Sequence, residues 1–565
     1  MTPPDGLNLI AQPVKLTGVE TLKQTSNRLR GTLADELAAD GDQVSEGGYN
    51  LLKFHGTYEQ YDRDTATKRK KVGLEKEYSF MTRVRMPGGR LTAAQYLALD
   101  GLADEYANST LRLTTRQAIQ FHVIKKHDLK SAIAGINATL LTTLAACGDV
   151  VRNVTTSPAP LRDVQHARLE ADARMLSEAL LPASRAYHEI FLDEEGSGGE
   201  EVEPLYGESY LPRKFKIGIA SADDNSIDVL TNDLGIIPVY EGETLIGYNL
   251  AVGGGLGMTH NRPDTFPRMG SILASVGPDE LLAATKAVVA LHREHGNRGD
   301  RKRARLKYVV QDNGVEWTRD ELARLYGREL AAPLPTPGFK IPEILGWHAQ
   351  GDGKSWLGVA VPSGRIADTE SVKLRSALRE IVSRFGIDPI VTAQQDILLP
   401  NLDIAQRAEI DGILAAAGVV TAESLSPLSR WTLACPALPT CGLALTEAER
   451  VRGPLIAQIE AELAKFGLEN ERISLRITGC PNGCARSYAG DIGLVGRMPG
   501  FYALFVGGDF VGTRLSFKLH ERVAEAGIGA ALAPLFKAFA ADRQPAEEFG
   551  NFCQRLGHEA LVALV

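Results

Sequence analysis

Hydrophobic and polar positions along the chain follow two periods, and the two periods occur in a repeated order. From Gly88 the run "GGRLTAAQYLALDGLADEY" has helical periodicity, and the following "LRLTTRQAIQFHVI" alternates as a strand does. From Ser363 the run "SGRIADTESVKLRSALREIVSRF", continued by "PIVTAQQDILLPNL", repeats this order. Both copies begin Gly-Arg-apolar and end on Thr-x-x-Gln-x-Ile. This similarity indicates an internal duplication.

A second pair of segments follows these copies. The segments that begin at Phe215 and at Leu475 both read strand, loop, Asp-apolar-Gly, turn and a strand ending Val-Gly-Gly. In this alignment Leu475 and Ile477 occupy the positions of Lys214 and Lys216. Helices followed by several strands predict an α+β fold built from two related halves.

The first eighty residues have a different composition. They are polar and weakly periodic, with the charged run "DRDTATKRKKVGLEK". We expect residues 1–78 to form an extended arm outside the core that wraps around the protein or docks a partner. The duplicated modules then occupy residues 79–145 and 346–425 for the first pair, and 146–345 and 426–565 for the second.

Length, charge and cysteine content narrow the class of protein. A chain of 565 residues is too long for one hydrophobic core and predicts about three domains. No apolar run is long enough for a membrane span, and no secretory signal is apparent, so we expect a cytoplasmic protein. The net charge of −8 argues against a nucleic-acid partner. Six cysteines are too few for a disulfide scaffold.

Four of the six cysteines form two pairs. Cys435 and Cys441 make a C-x5-C pair, and Cys480 and Cys484 make a C-x3-C pair in "TGCPNGCARS". Four thiolates in this pattern suit either a zinc ion or an iron–sulfur cluster. The wider first pair is loose for zinc, but spacing alone leaves both metals open.

The local sequence around the second pair predicts how its thiols are held. Residues 473–477 alternate as a half-buried strand, and Pro481 suits the first position of a helix. We therefore expect Cys480 and Cys484 on one helical turn, with both thiols on the same face. Cys147 and Cys553 lie in apolar surroundings and are expected to be buried hydrophobic residues.

Basic residues recur in short clusters throughout this acidic chain. Each cluster alone is typical of a solvated surface. Lys214 and Lys216, however, are two residues apart on a predicted strand and share one face, where like charges repel. An anion is therefore expected beside them.

The cysteine spacing resembles that of the sirohaem-dependent sulfite and nitrite reductases. The resemblance extends through "NRLRGTL", "KFHGTYEQYDRD", "RLTTRQAIQFH", "YLPRKFKIGI", "NLAVGGGLG", "GNRGDRKRARLKY" and "GLVGRMPG", in that order. The arm motif is most similar to the subfamily of haemoprotein (beta) subunits of NADPH-dependent assimilatory sulfite reductases. The resemblance implies ferredoxin-like half-domains at 79–145 and 346–425, a sirohaem-binding domain at 146–345, and the iron–sulfur cysteines in 426–565.

The family pattern also implies roles for particular residues. A [4Fe–4S] cluster would be held by Cys435, Cys441, Cys480 and Cys484, and Cys484 would bridge to the sirohaem iron. Substrate would bind four cations: Arg83, Arg152, Lys214 and Lys216. Residues near the sirohaem would be Arg112, Arg116, Gln120, Arg305, Lys307 and Asn482.

Several other positions carry weaker expectations. Some relatives have a cysteine shortly after "RNV", where this chain has Thr155 and Thr156. His55 and His122 are expected to be hydrogen-bonded core residues. The glycines of "AVGGGLGMTH" do not make a dinucleotide-binding motif, and a turn beside a cofactor is expected there.

The resemblance implies an enzyme that reduces sulfite to sulfide with six electrons. The chain has no flavin or nicotinamide motif, so electrons would come from an NADPH-dependent flavoprotein subunit or, as a second choice, from ferredoxin. Two alternatives stay open at this point. One is reduction of nitrite to ammonia at the same site, and the other is a non-enzymatic binding protein stapled by zinc.

Overall fold

The computed structural model describes residues 15–194 and 202–565, so residues 1–14 of the predicted arm lie outside it. The arm and the first half-domain contain α1 (Gly18–Thr25), α2 (Leu33–Ala38), α3 (Glu46–Leu52), β1 (Thr57–Tyr61), α4 (Arg63–Lys71), β2 (Tyr78–Arg83), α5 (Ala93–Tyr106), β3 (Leu111–Leu113), β4 (Ile119–Ile124) and α6 (Leu129–Ala138). The α+β domain that follows contains β5 (Thr155–Thr156), α7 (Val164–Ala179), α8 (Ala186–Leu192), β6 (Ile217–Ile219), β7 (Leu234–Glu241), β8 (Thr244–Val252), β9 (Ser271–Val276), α9 (Leu281–His295), α10 (Leu306–Asn313) and α11 (Val315–Tyr326).

The second half of the chain repeats this order. Its half-domain contains β10 (Gly346–Ala349), β11 (Ser355–Val359), β12 (Arg365–Ile366), α12 (Leu374–Phe385), β13 (Ile390–Val391), β14 (Ile397–Leu402) and α13 (Arg407–Ala416). Its α+β domain contains α14 (Pro427–Arg430), β15 (Thr432–Ala434), α15 (Arg452–Ala464), β16 (Leu475–Thr478), β17 (Ile492–Met498), β18 (Phe501–Val506), β19 (Phe517–Ala524), α16 (Ile528–Asp542) and α17 (Phe549–Val562).

The sheets show the duplication directly. Each α+β domain has a five-stranded sheet in sequential order, β5-β6-β7-β8-β9 and β15-β16-β17-β18-β19. In both sheets the first three strands are parallel and the remaining pairs are antiparallel. The half-domain sheets have the orders β1-β2-β4-β3-β12 and β10-β11-β14-β13. The predicted α+β class with duplicated modules is confirmed.

The two half-domains contact each other reciprocally. β12 of the second half joins the sheet of the first half by pairing with β3, and Arg90 of the first half bridges to Ile390 of the second. Gly89 and Gly364 occupy matching turns with φ of +73° and +72°. A Cβ on either glycine would lie 2.1 or 2.3 Å from a carbonyl oxygen of the other half, so both sites require glycine.

The expectation that the arm lies outside the core is wrong for the described part of it. Leu29, Leu33, Leu51 and Phe54 belong to the main hydrophobic cluster, and β1 pairs with β2 along five residues. The reason is that isolated leucines and aromatics between charged runs still gain by burial, although they make no clear periodic pattern. None of the described helices is both long and apolar enough to cross a membrane.

The register of the duplicated strands also differs from the sequence alignment. Asp233 Oδ2 accepts from the Lys216 N–H at 2.9 Å, and Asp491 Oδ2 accepts from the Ser474 N–H at 2.8 Å. Lys216 therefore corresponds to Ser474, three residues before the Ile477 that the alignment selected. A shift of three residues also moves each side chain to the opposite face of the strand.

Candidate active site

The four paired cysteines converge because two of them leave adjacent parallel strands at the same edge. Cys435 follows β15 and Cys480 follows β16, and these strands pair in parallel. The Gly479 N–H donates to Cys435 Sγ at 3.3 Å, and Asn482 Nδ2 donates to Cys480 Sγ at 3.5 Å. Cys435 and Cys480 are buried, whereas Cys484 is exposed.

The thiols are close enough to influence one another's ionisation. Burial, together with the neighbouring Cys484 and Cys441, raises the pKa of Cys480 to about 12. Burial and the same neighbours also raise the pKa of Cys435. A buried group of thiols becomes favourable as thiolates only when positive charge is supplied, which is what metal ligation provides.

The sulfur positions distinguish between the two metals that spacing left open. Within residues 15–194 and 202–565, no three of these sulfurs come within 4.8 Å of one another. Thiolates bound tetrahedrally to one zinc at 2.3 Å would lie about 3.8 Å apart. The wider arrangement fits a cluster that spreads four thiolates over several irons.

The predicted helical turn between Cys480 and Cys484 is wrong. Residues 479–490 form a series of turns, and Gly483 has φ of +63°. A Cβ at Gly483 would lie 2.9 Å from the ring of Tyr488, whose hydroxyl donates to the Pro481 carbonyl at 3.0 Å. The glycine between the cysteines therefore ends any helix that Pro481 could begin.

Cations gather on one face of the first sheet and beside β6. We call Arg83, Arg116, Arg152, Lys214 and Lys216 the cationic pocket. Burial, with repulsion from the neighbouring cations, lowers the pKa of Lys214 and lowers the pKa of Arg116 to about 9. Burial lowers the pKa of Lys216 to about 7, with Arg116 contributing. Neither lysine has an ion-pair partner among the residues that the structure describes.

The sheet itself positions part of this pocket. Arg83 pairs with Gln120 across β2 and β4, so both side chains face the same side. With the Gln120 amide turned by 180°, its oxygen accepts from Arg83 Nε at 3.0 Å. Arg83 Nη1 donates to Cys147 Sγ at 2.9 Å, and Arg152 Nε donates to the Gly148 carbonyl at 2.7 Å. These bonds hold the two arginines beside each other.

The cysteine site and the cationic pocket meet at one point. Cys484 lies near enough to Lys216 to oppose the lowering of its pKa. Thr115 Oγ1, between the sheet and the cysteine turn, donates to the Cys484 carbonyl at 3.0 Å. The structure thus brings predicted substrate-binding and metal-ligating residues into one site.

Among the predicted cofactor residues, three cations outside the cationic pocket already have protein acceptors. Arg305 makes a buried ion pair with Asp233 at 2.7 Å. Lys307 Nζ donates to the carbonyls of Gly255 and Gly257 at 3.1 and 2.7 Å. Burial lowers the Lys307 pKa to about 6. Contact of either residue with a cofactor carboxylate stays a prediction.

Arg112 is the third of these residues. Its guanidinium pairs with Glu449, which also accepts from Arg365 at 2.8 Å. Its Nη2 donates to the carbonyl of Ala434 at 2.8 Å, directly before Cys435. Arg112 therefore supports the cysteine loop in the described structure, and its predicted contact with a cofactor carboxylate is untested.

The glycine-rich loop after β8 packs against the turn that contains Cys480 and Cys484. The Met258 N–H donates to the Pro481 carbonyl at 2.9 Å. A Cβ on Gly257 would approach the Asn482 carbonyl oxygen at 3.3 Å, and one on Gly255 would lie 2.8 Å from the Arg305 guanidinium. Small residues are needed here for close packing against the turn that contains Asn482.

Two residues of this region were assigned a purely structural role from the sequence. His122 is buried, but neither ring nitrogen has a hydrogen-bond partner in the described parts of the chain, so the expectation of a bonded core histidine is wrong. His122 lies two residues after Gln120 on β4, and this spacing places both side chains on the same face of the strand. The spacing could have identified His122 as a residue of this site. Cys147 is buried as expected, yet its sulfur contacts Arg83. His55 bonds the Leu29 carbonyl at 3.2 Å, as expected.

Comparison with known proteins identifies the family. Residues 73–139 and 348–417 match the model of the nitrite/sulfite reductase ferredoxin-like half domain, and residues 171–330 match that of the nitrite and sulphite reductase 4Fe-4S domain. The chain is 44% identical to the sulfite reductase [NADPH] hemoprotein beta-component of Myxococcus xanthus, covering 97% of this chain and 98% of that protein. This chain belongs to the nitrite and sulfite reductase family. The predicted family is confirmed.

The names of similar reductases specify different electron donors. The chain is 43% identical to the sulfite reductase [ferredoxin] of Synechococcus elongatus, over 98% of this chain and 91% of the other. It also resembles the structure of the Mycobacterium tuberculosis NirA protein, with a TM-score of 0.78 and 26% identity over 97% of each chain. The segment that matches the 4Fe-4S domain model, 171–330, contains no cysteine, and the four paired cysteines lie in the other copy of the duplicated domain.

Proposed function

We propose that this protein reduces sulfite to sulfide at a sirohaem coupled to a [4Fe–4S] cluster. The observation that carries the proposal is the meeting of the four-cysteine site and the cationic pocket, where Thr115 bonds the Cys484 carbonyl and Cys484 lies near Lys216. The reaction balances as HSO3⁻ + 6 e⁻ + 6 H⁺ → HS⁻ + 3 H2O. It needs a route for electrons, a site for an oxyanion and donors for protons.

The residues of this site fit the two cofactors that the family implies, a [4Fe–4S] cluster and a sirohaem. Cys435, Cys441, Cys480 and Cys484 would hold the cluster, and Cys484 would also reach the haem iron. When bound, the two groups would supply electrons and an iron that binds the substrate sulfur. Lys214 and Lys216, which have no ion-pair partner within the described residues, and the unbonded nitrogens of His122 fit an anionic macrocycle and an anionic substrate.

The cationic pocket would act on the substrate oxygens. Arg83 and Arg152 are held by backbone and sulfur acceptors, so their charges are positioned before substrate arrives. Lys216 is the better proton donor, because arginine stays protonated whereas burial brings the Lys216 pKa to about 7. Each departing oxygen would accept protons from this side of the pocket.

Electrons would come from an NADPH-dependent flavoprotein subunit, with ferredoxin as the alternative donor. Relatives of nearly equal identity are named for each donor, so their names do not decide between the two. The arm motif "KFHGTYEQYDRD", which resembles that of the haemoprotein subunits of NADPH-dependent enzymes, favours the flavoprotein.

The test uses the purified holoprotein with dithionite-reduced methyl viologen as electron source. We expect visible absorption and electron paramagnetic resonance (EPR) signals of haem and cluster, and sulfide as the product from sulfite. Nitrite is assayed in parallel, with ammonia measured. A clear preference for nitrite would establish nitrite reduction instead, and a colourless protein containing zinc would overturn the proposal.

A further inference from the structure

The loop that holds the second cysteine pair has a counterpart without cysteine in the first copy of the duplicated domain. Lys216 and Ser474 occupy matching positions, and each bonds an aspartate that lies 17 residues further along, so the two loops have equal length. Asp228 is the twelfth residue after Lys216, and Arg486 is the twelfth after Ser474. Asp228 therefore matches Arg486.

The two loops also share a backbone conformation at this matching position. Asp228 and Arg486 have φ of +49° and +59°, which is uncommon for residues other than glycine. The Asp228 N–H donates to the Asn225 carbonyl at 2.9 Å, and the Arg486 N–H donates to the Gly483 carbonyl at 3.0 Å. Each bond spans three residues, so the first copy has kept the turn although it has lost the cysteines.

The matching residues bind each other across the duplication. Arg486 Nη1 lies 3.1 Å from Asp228 Oδ2. Arg476, on β16, pairs with the same carboxylate. All three side chains are buried, and Asp228 is completely inaccessible to solvent. Asp228 is therefore the shared counter-ion of two arginines from the other copy.

These two arginines lie at the two ends of the segment that contains the cysteines. Arg476 is four residues before Cys480, and Arg486 is two residues after Cys484. Arg486 also donates to the Ser226 carbonyl of the first copy at 2.9 Å and to a carbonyl of the second half-domain at 2.8 Å. Three parts of the molecule thus hold the end of the segment next to Cys484.

The residues beneath this ion pair differ between the copies in a complementary way. Gly490 makes room for Arg476, since a Cβ on Gly490 would lie 2.8 Å from Arg476 Cδ. The matching positions in the first copy are Asn232 and Gly218, where a Cβ on Gly218 would lie 2.8 Å from Asn232 Nδ2. The large and small residues have exchanged places, so one copy supplies the acid and the other supplies both arginines.

We propose that the cysteine-free copy holds the cluster ligands of the other copy in place, with Asp228 as the positioning residue. The inference rests on the proposed function, because it takes the four cysteines as ligands of a cluster. Asp228 ties both ends of the segment 476–486 to one buried carboxylate, and outer bonds of this kind orient the ligands between them. Without the charge of Asp228, two buried guanidinium groups would lose their counter-ion, and the segment would have to move to solvate them.

The test compares Asp228→Asn with a matched control, Asp100→Asn, in the purified holoprotein. Asp100 is also buried and is also shared by two arginines, Arg375 and Arg379, but these ion pairs join the two half-domains. The rate of iron release to a chelator is measured for each variant. EPR of the reduced cluster and melting temperatures are recorded on the same preparations.

We expect Asp228→Asn to release iron about tenfold faster or more, and the control to stay within about twofold of the wild type. The EPR spectrum of the reduced cluster should change in Asp228→Asn alone, although both variants should have lower melting temperatures. Equal iron release from the two variants, or unchanged release from Asp228→Asn, would overturn the proposal.

A second variant covers the case in which Asp228→Asn does not fold. Arg486→Lys keeps the cation but loses the planar group that reaches Asp228 and two carbonyls together, and it is judged by the same release rates. Absence of sulfite reduction by the wild type would refute the proposed function alone. Release of whichever metal the cysteines hold would still test the role of Asp228.

Discussion

Gln117 and Gln395 occupy matching positions in the two half-domains and make the same bond to the domain that follows. Gln117 Oε1 accepts from the Thr156 N–H at 2.8 Å, and Gln395 Oε1 accepts from the Ala434 N–H at 3.2 Å. Both glutamines have positive φ, +49° and +70°. Each half-domain thus holds the first strand of its α+β domain. In the second half that strand leads directly into Cys435.

The first prediction follows from this relationship. Gln395→Leu leaves the buried N–H and carbonyl of Ala434 without their amide partner, which costs about 1–3 kcal/mol. We expect a lower melting temperature together with a lower iron content, because Ala434 precedes a cluster ligand. Thermal denaturation and iron analysis check both effects. Gln117→Leu is the matched control and should lower stability while iron content stays normal; equal iron content in the two variants would contradict the prediction.

The second prediction concerns the shared sulfur. Cys484→Ser should lose cluster iron and haem coupling together, because one side chain would serve both groups. Iron analysis, the visible spectrum and EPR of the same preparation measure this. Cys553→Ala is a suitable control, since Cys553 is buried in the C-terminal hydrophobic cluster, whereas Cys147 contacts Arg83. Full iron and normal activity in Cys484→Ser would refute the bridging role.

The third prediction concerns the charge on the substrate. Lys216→Ala removes a cation and a proton donor from the pocket, and a contact of this kind contributes on the order of 2–4 kcal/mol, or ~10²–10³ in rate. Sulfide production driven by methyl viologen should fall by that factor while haem and cluster content stay unchanged. Lys125→Ala, at an exposed site, is the control. Near-normal sulfide production would exclude Lys216 from the active site, and loss of the cofactors would make its role structural.

The fourth prediction concerns the pH dependence of stability. Asp396 is buried and accepts from the Val361 N–H at 2.9 Å, and burial raises its pKa from 3.8 to about 7. The folded state therefore binds this proton more tightly than the unfolded state, and the resulting stabilisation is full below about pH 4 and is lost as pH rises to about 7. Asp396→Asn keeps an acceptor and cannot ionise.

We expect Asp396→Asn to stabilise the protein at pH 8 more than at pH 5. The rise of the Asp396 pKa from 3.8 to about 7 sets an upper limit of ~4 kcal/mol for the whole pH effect. Melting temperatures at the two pH values measure the difference, with Asp542→Asn as an exposed control. A variant whose advantage is the same at both pH values would show that Asp396 does not titrate in this range.

Local pattern alone determined the class of fold and the elements of the site. The two hydrophobic periods recur in the same order in each half, so the duplicated α+β architecture could be predicted without tertiary information. The four paired cysteines and the lysine pair were evident because each depends on neighbours within a few residues. The sequence could not choose between metals, because the choice depends on sulfur positions after folding.

The tertiary structure decided everything that depends on distant partners. Arg112 pairs with Glu449, which lies 337 residues along the chain, and Arg63 of the arm bonds the Cys441 carbonyl 378 residues away. Nothing in local periodicity reports such contacts, so the roles of the arm, of His122 and of Cys147 were misjudged or incomplete. The correct alignment of β6 with its duplicate β16 was missed for a related reason. It is set by the hydrogen bonds that the Asp233 and Asp491 carboxylates accept from the backbone N–H groups of Lys216 and Ser474. A pattern of polar and apolar residues does not report such bonds of the folded chain.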